Sequence, residues 1–171
     1  MIRKVSLKSS NGHEHILVAI EYFTKWVKVT SYASLTVAKV AKFIISHIIC
    51  QYGIPHELIS NRGVRFKGEV NTLVQEYGIQ HYQSSAYRLE TNRAVEATNK
   101  NIKRILQKMV ETSQDWSEKL HFALWAYRTS FCTSTGTTPF SLVYGMKVVL
   151  PVEIEMGSLR VALEHRITET D

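Results

Sequence analysis

The stretch His15-Ile16-Leu17-Val18-Ala19-Ile20-Glu21-Tyr22-Phe23, followed at once by Trp26-Val27-Lys28-Val29-Thr30, decides the fold. The first run is short, apolar, and rich in β-branched and aromatic residues, which predicts a strand buried on both faces. The second alternates and predicts a partner strand, so Ile16–Tyr22 and Trp26–Thr30 read as a hairpin. Asn11-Gly12 is a turn signal ahead of them, and Val5 and Leu7 suggest a meander on the amino-terminal side.

Beyond the hairpin the period changes. Val37, Val40, Ala41, Ile44, Ile45 and Ile48 recur at three- and four-residue spacing, which predicts a helix capped by Thr36 or Ser34 and stopped by Gly53 and Pro55. Glu57-Leu58-Ile59-Ser60 reads as a short strand. A helix carrying Leu73, Val74 and Tyr77 follows and ends at Gly78, and Ile79–Tyr82 is another strand. A long helix is expected from about Thr91 to Glu111, with Val95, Ile102, Ile105, Leu106 and Met109 on its apolar face. Ser113–Trp116 should cap the next helix, which holds Leu120, Leu124 and Tyr127. Thr133–Pro139 is a loop, and Phe140–Gly145 a short amphipathic turn of helix. Strands first, then strands alternating with helices, argue for an α/β fold with a mixed sheet of about five strands. One domain is expected over residues 1–157, with 158–171 as a flexible tail.

Bulk composition narrows the class. The 171 residues carry 44% hydrophobic and 21% charged side chains, the balance of an ordinary globular domain. Lys and Arg number 21 against 15 Asp and Glu, so the net charge of +6 suits a polyanionic partner. The two cysteines, Cys50 and Cys132, form no Cys-x-x-Cys pair; free thiols buried among apolar neighbours are expected, in a reducing compartment. No apolar run approaches membrane-spanning length and the amino terminus has no apolar signal core, so a nuclear or cytoplasmic location is expected.

Several further segments carry a resemblance. Ser10-Asn11-Gly12-His13 and Tyr22-Phe23-Thr24-Lys25-Trp26-Val27 come first. Tyr52-Gly53-Ile54-Pro55, Ile59-Ser60-Asn61-Arg62-Gly63, Phe66 and Glu96-Ala97-Thr98-Asn99-Lys100 follow. Trp125–Ser130 and Thr138–Gly145 complete the series. In this order they resemble the integrase catalytic core of gypsy-class long-terminal-repeat retrotransposons, a retroviral-type integrase of the RNase H-like superfamily. The resemblance runs from about Ser9 to Leu159. It implies an RNase H-like fold whose first strand is truncated here. It implies insertion of retroelement DNA into host DNA by metal-dependent strand transfer, with two Asp and one Glu holding two Mg²⁺ or Mn²⁺ ions. Hard cations take anionic oxygen ligands, which is why that chemistry uses carboxylates.

Carried over residue by residue, the Glu falls on Glu96 and the second Asp on Asn61, 35 residues earlier. Ser60, Arg62 and Gly63 keep the motif around Asn61, so a neutral amide has replaced an acid there. The first Asp would fall immediately ahead of Met1, and the chain is expected to lack it. Glu21 matches an acidic position that the family does not use for metals. The family's Asn-Gly ahead of the Glu reads Asn92-Arg93, and two prolines are replaced by Ala86 and Leu89. A degenerate, inactive site with at most vestigial metal binding at Glu96 is therefore expected.

Lys100 and Lys103 lie four and seven residues beyond Glu96 on the expected helix and share its face. With Arg93, Arg104 and Lys108 they form a candidate stripe for DNA phosphates, which the resemblance supports; read blandly, it is a solvated helix face. His13 and His15 read as exposed hairpin residues, and Trp26, Trp116 and Trp125 as core or interface. Two readings remain: a DNA strand transferase, or a non-catalytic DNA-binding or oligomerising remnant of one. In either case DNA is the expected partner, a homodimer is possible, and no small-molecule substrate or membrane is expected.

Overall fold

A computed structural model describes residues 2–5, 7–60, 68–83 and 89–148, apart from the side chains of residues 2, 3, 83, 89–99 and 103. The hairpin is its centre. Strand β2 (His15–Ile20) pairs antiparallel with β3 (Val27–Tyr32), Ile20 facing Val27 and His15 facing Tyr32. On its other side β2 pairs with the three-residue β1 (Ile2–Lys4), giving a sheet of order β1-β2-β3.

β2 is buried on both faces, as its apolar run requires. Ile16, Val18 and Ile20 join Val27 and Val29 on one face, against α4 (Leu89–Thr112) and α5 (Leu120–Thr129). Leu17 and Ala19 face the opposite cluster, with α1 (Val37–Ile44) and α3 (Glu69–Glu76). The result is the layered helix–sheet–helix arrangement expected of an α/β core.

Helix α1 starts where Thr36 caps it, its Oγ1 accepting from the Lys39 amide at 3.3 Å. It runs on through a π-helical turn (Ile45–Ile49) into α2 (Cys50–Tyr52). The wider turn moves the helix out of phase with its buried face. This accounts for Cys50, expected buried, being exposed; Cys132 is half-buried.

Strand β4 (Glu57–Ser60) pairs parallel with β5 (Gln80–Gln83), from Glu57 facing Gln80 to Ser60 facing Gln83. α3 crosses between them, and Gly78 takes the left-handed turn (φ 64°) that releases the chain into β5. Five strands were expected in one mixed sheet. Among the described residues there are five strands, antiparallel and parallel, hydrogen-bonded as a three-stranded and a two-stranded sheet. With pairing over only three residues, β1 presents little edge for a further strand. The sheets meet instead through side chains, Leu17 of β2 and Leu58 of β4 sharing one apolar cluster.

Helix α5 begins at Leu120, not at the expected Ser113–Trp116 cap. Ser113 Oγ instead accepts from the Asp115 amide at 3.3 Å and from Lys119 Nζ at 3.0 Å, holding a turn. Trp116 closes the core below it, with no exposed surface. α5 also covers the free edge of β3: Arg128 Nε and Nη2 donate to the Val27 carbonyl at 3.2 and 2.7 Å, and Tyr127 Oη donates to the Lys25 carbonyl at 3.2 Å. α6 (Pro139–Tyr144) is capped by Thr138, whose Oγ1 accepts from the Ser141 amide at 3.1 Å. His15, expected exposed, is buried within β2 because it takes the first register position of the central strand. His13 remains half-exposed, its Nδ1 2.7 Å from Ser31 Oγ.

The hairpin turn is held by Glu21. Its carboxylate accepts from the Phe23 amide (3.0 Å), the Thr24 amide (2.6 Å) and the Thr24 hydroxyl (2.5 Å). Burial acts to raise the Glu21 pKa, but these bonds and the charge of Lys25 outweigh it and hold the carboxyl below its ordinary value. A depressed carboxyl stabilises above its unfolded pKa and loses that contribution as pH falls through the folded value. Glu21→Gln is therefore expected to cost about 1 kcal/mol at neutral pH, an amount limited by the site's exposure to solvent. The difference should vanish in urea melts at pH values below the carboxylate range; a pH-independent difference would assign the turn's stability elsewhere.

Candidate functional site

The site expected from the sequence has two halves, the carboxyl end of β4 and the start of α4. β4 ends on Ser60, buried beside the parallel partner strand, with its Oγ 2.9 Å from His81 Nε2 on β5. Burial pushes the His81 pKa down, which favours the neutral ring that can share a proton with Ser60. Asn61, the next residue, lies outside the described residues. Glu96 falls within α4, in its second turn, and its side chain lies outside the described set, as do those of Arg93 and Lys103.

Ile102, Leu106 and Val110, four residues apart, are buried against the sheet. Lys100, Arg104 and Lys108 repeat with the same spacing and are exposed. At 100° per residue the two series lie on roughly opposite sides of the helix. Two of the expected phosphate-contacting residues, Lys100 and Arg104, are thus on an accessible face, held by the core packing of the same helix. No salt bridge engages either of them among the described residues.

One of the two donors expected to hold metal is a neutral amide, a poor ligand for a hard divalent cation. Glu96 supplies one carboxylate, and Asn61 a neutral amide in place of the second Asp. Among the described residues no group of three or more His, Cys, Asp or Glu is placed to hold a metal ion. Glu21 is committed to its turn. No described helix is long and apolar enough to cross a membrane.

No family model matches the chain. Curated relatives do. The Gag-Pol polyprotein of avian reticuloendotheliosis virus is 30% identical over 145 residues, covering 82% of this chain and 12% of the polyprotein. The Gag-Pol polyprotein of feline leukemia virus is 34% identical over 137 residues, covering 78% of this chain and 8% of the polyprotein. The chain therefore spans about a tenth of the length of these relatives. Among solved structures, the catalytic core domain of BIV integrase matches with a TM-score of 0.63 at 20% identity, over 82% of this chain and 91% of that one. A chain of the simian T-cell lymphotropic virus intasome, solved in complex with PP2A regulatory subunit B56 gamma, matches with a TM-score of 0.66 at 19% identity. That match covers 88% of this chain and 54% of the other. The chain belongs to the retroviral-type integrase cores. Its fold is the RNase H-like fold of that family.

Within this integrase core, the sequence reading anticipated the strand β4 and the helix α4. It missed the Ser60–His81 link between the two parallel strands and the Arg128 clasp on β3. Arg128 stands in the Trp125–Ser130 motif, but nothing in sequence spacing ties it to Val27, 101 residues away.

Proposed function

We propose that this core binds DNA through the exposed face of α4, as a catalytically silent copy of a gypsy-class retroelement integrase. One observation carries the reading. The buried stripe of Ile102, Leu106 and Val110 fixes α4 so that Lys100 and Arg104 face solvent without an ion-pair partner among the described residues. Lys103 and Arg93 add two more positive charges to the sequence of the same helix. The net charge of +6 adds long-range attraction for phosphates.

The competing reading is an active strand transferase that inserts retroelement DNA with Mg²⁺ or Mn²⁺. It is disfavoured by Asn61, a neutral amide where the two-metal site calls for a carboxylate. The remnant reading also takes the core as a nuclear or cytoplasmic homodimer. Phe122, Trp125, Ala126 and Thr129 make an uncharged outer face on α5, with Phe122 64% and Trp125 47% exposed, and such a face can meet its own copy without like-charge repulsion.

DNA binding is tested by duplex affinity against salt. If Lys100, Lys103 and Arg104 neutralise three phosphates, log K should fall against log salt with a slope of about −3. Reversing all three to Glu should remove most of that slope and weaken duplexes of unrelated sequence alike. A slope near zero in the unmodified chain, or unchanged affinity in the triple variant, would refute the α4 face.

A further inference from the structure

The Asn11-Gly12 pair at the first turn stands apart from the chain's other asparagines. Asn61, Asn71, Asn92, Asn99 and Asn101 are each followed by a residue with a side chain, and Asn11 alone by glycine. Both members of the pair are exposed. Gly12 takes a φ of 79°, and nothing lies within 4 Å of where a Cβ would stand. Donors converge on the Asn11 side-chain oxygen. The Ser9 hydroxyl donates to Oδ1 from within the turn, the Ser117 hydroxyl donates from across the fold at 2.8 Å, and the His13 amide donates at 3.4 Å.

Hydrogens aimed at a carbonyl oxygen offset the negative charge that develops there when a nucleophile adds to the carbon. The nucleophile here is the nitrogen of the next residue, which covalent connection alone keeps within ring-closing reach of Asn11 Cγ. Glycine suits the attack because no Cβ crowds the closing ring. In the resting turn the Gly12 amide donates to the Ser9 carbonyl at 2.8 Å, so the reaction waits for the turn to open. That opening is a local event at an exposed turn, outside the β2–β3 ladder.

We propose that Asn11 is a self-modifying site, where the chain deamidates without an enzyme and the product loosens the amino-terminal turn. The Gly12 nitrogen bonds to Asn11 Cγ, the Cγ–Nδ2 bond breaks, and ammonia leaves with the proton that the Gly12 nitrogen gives up. The succinimide then takes up one water and opens at either of its carbonyls. One opening gives aspartate, and the other gives isoaspartate, whose main chain runs through the former side chain. Isoaspartate lengthens the backbone where residues 7–11 are pinned to residues 114–117. The pins are Trp116 Nε1 to the Leu7 carbonyl, the Ser10 amide to the Gln114 carbonyl, and the Ser117 hydroxyl to Asn11 itself. Their loss would free the turn that covers Trp116, at a distance in sequence from the basic residues of α4. The inference is independent of the DNA-binding reading.

The test is incubation of the whole purified chain at mildly alkaline pH, followed by peptide mass mapping and by labelling with a methyltransferase that acts on isoaspartate. Aspartate and isoaspartate should accumulate at residue 11 several-fold faster than at any other asparagine. Ser117→Ala removes the donor from across the fold and should slow that accumulation about tenfold. Ser117→Thr keeps the hydroxyl and should restore it. Asn11→Gln, whose longer side chain closes a ring far more slowly, should stay unmodified. The urea midpoint of the parent should fall as residue 11 converts, while that of Asn11→Gln holds steady. Circular dichroism confirms that each variant is folded. No conversion at residue 11 in the native chain, over a period in which the urea-unfolded chain converts there, would overturn the site, because the turn would then protect the pair. Unchanged or faster conversion in folded Ser117→Ala would overturn the polarised carbonyl. A parent midpoint that stays constant while residue 11 converts would overturn the loosening of the turn.

Discussion

Trp116→Ala is expected to destabilise the chain by about 4 kcal/mol, read as a lower urea midpoint with little change in slope. The residue has no exposed surface and shares a cluster with Ile16 and Val18 of β2, Val27 of β3, Ile102, Leu106 and Val110 of α4, and Leu120 of α5. Removing the indole opens a cavity where sheet and helices meet, and rigid elements on several sides prevent its collapse. A second loss adds to it. Trp116 Nε1 donates to the Leu7 carbonyl at 3.0 Å, beside two further links that pin the amino-terminal turn. These are Ser10 N to Gln114 O at 2.9 Å and Ser117 Oγ to Asn11 Oδ1 at 2.8 Å. Trp116→Phe keeps most of the volume and loses the donor, so it should cost markedly less. Trp125→Ala, at a half-exposed position, should change stability by no more than about 0.5 kcal/mol. A Trp116→Ala cost below about 1 kcal/mol would show that this junction is not the centre of the core.

The hairpin was legible because its two physical signals agree. An apolar run buried on both faces and an alternating run beside it leave few other arrangements. The long α4 was legible from its apolar period, and α1 because its period and the Thr36 cap mark the same start. What escaped the sequence depends on tertiary context. The π-helical turn at Ile45–Ile49 has no composition of its own, and it is what turns Cys50 outward. His15 reads as a polar residue beside a turn, yet register carries it into the central strand. The division into two hydrogen-bonded sheets could not be read from strand count. At the site, Asn61 and Glu96 came from family resemblance, not from spacing. The basic face of α4 followed from helix geometry. The Arg128 clasp, which joins α5 to β3, has no signature along the chain.

The 171-residue chain, supplied with Mg²⁺ or Mn²⁺ and a DNA end, is expected to join no DNA above the level of buffer alone. Two-metal chemistry holds the ions roughly 4 Å apart around one phosphate, and carboxylates offset their combined positive charge. The positions carried over from the family supply Glu96 and, in place of the second Asp, the amide of Asn61. An amide oxygen brings a dipole where an anion is needed, and Mg²⁺ gives up its water reluctantly to neutral ligands. Asn61→Asp is therefore expected to be necessary for joining, and a longer polypeptide that carries an Asp-bearing first strand should still fail without it. The two changes together should restore metal-dependent joining if α4 and β4 keep the family's geometry, and Glu96→Gln should then abolish it. A gel-based strand-transfer assay on these four proteins separates a lost donor set from a lost scaffold. Joining by the unmodified chain that disappears on Glu96→Gln would show that one carboxylate suffices here and would overturn the inactive reading.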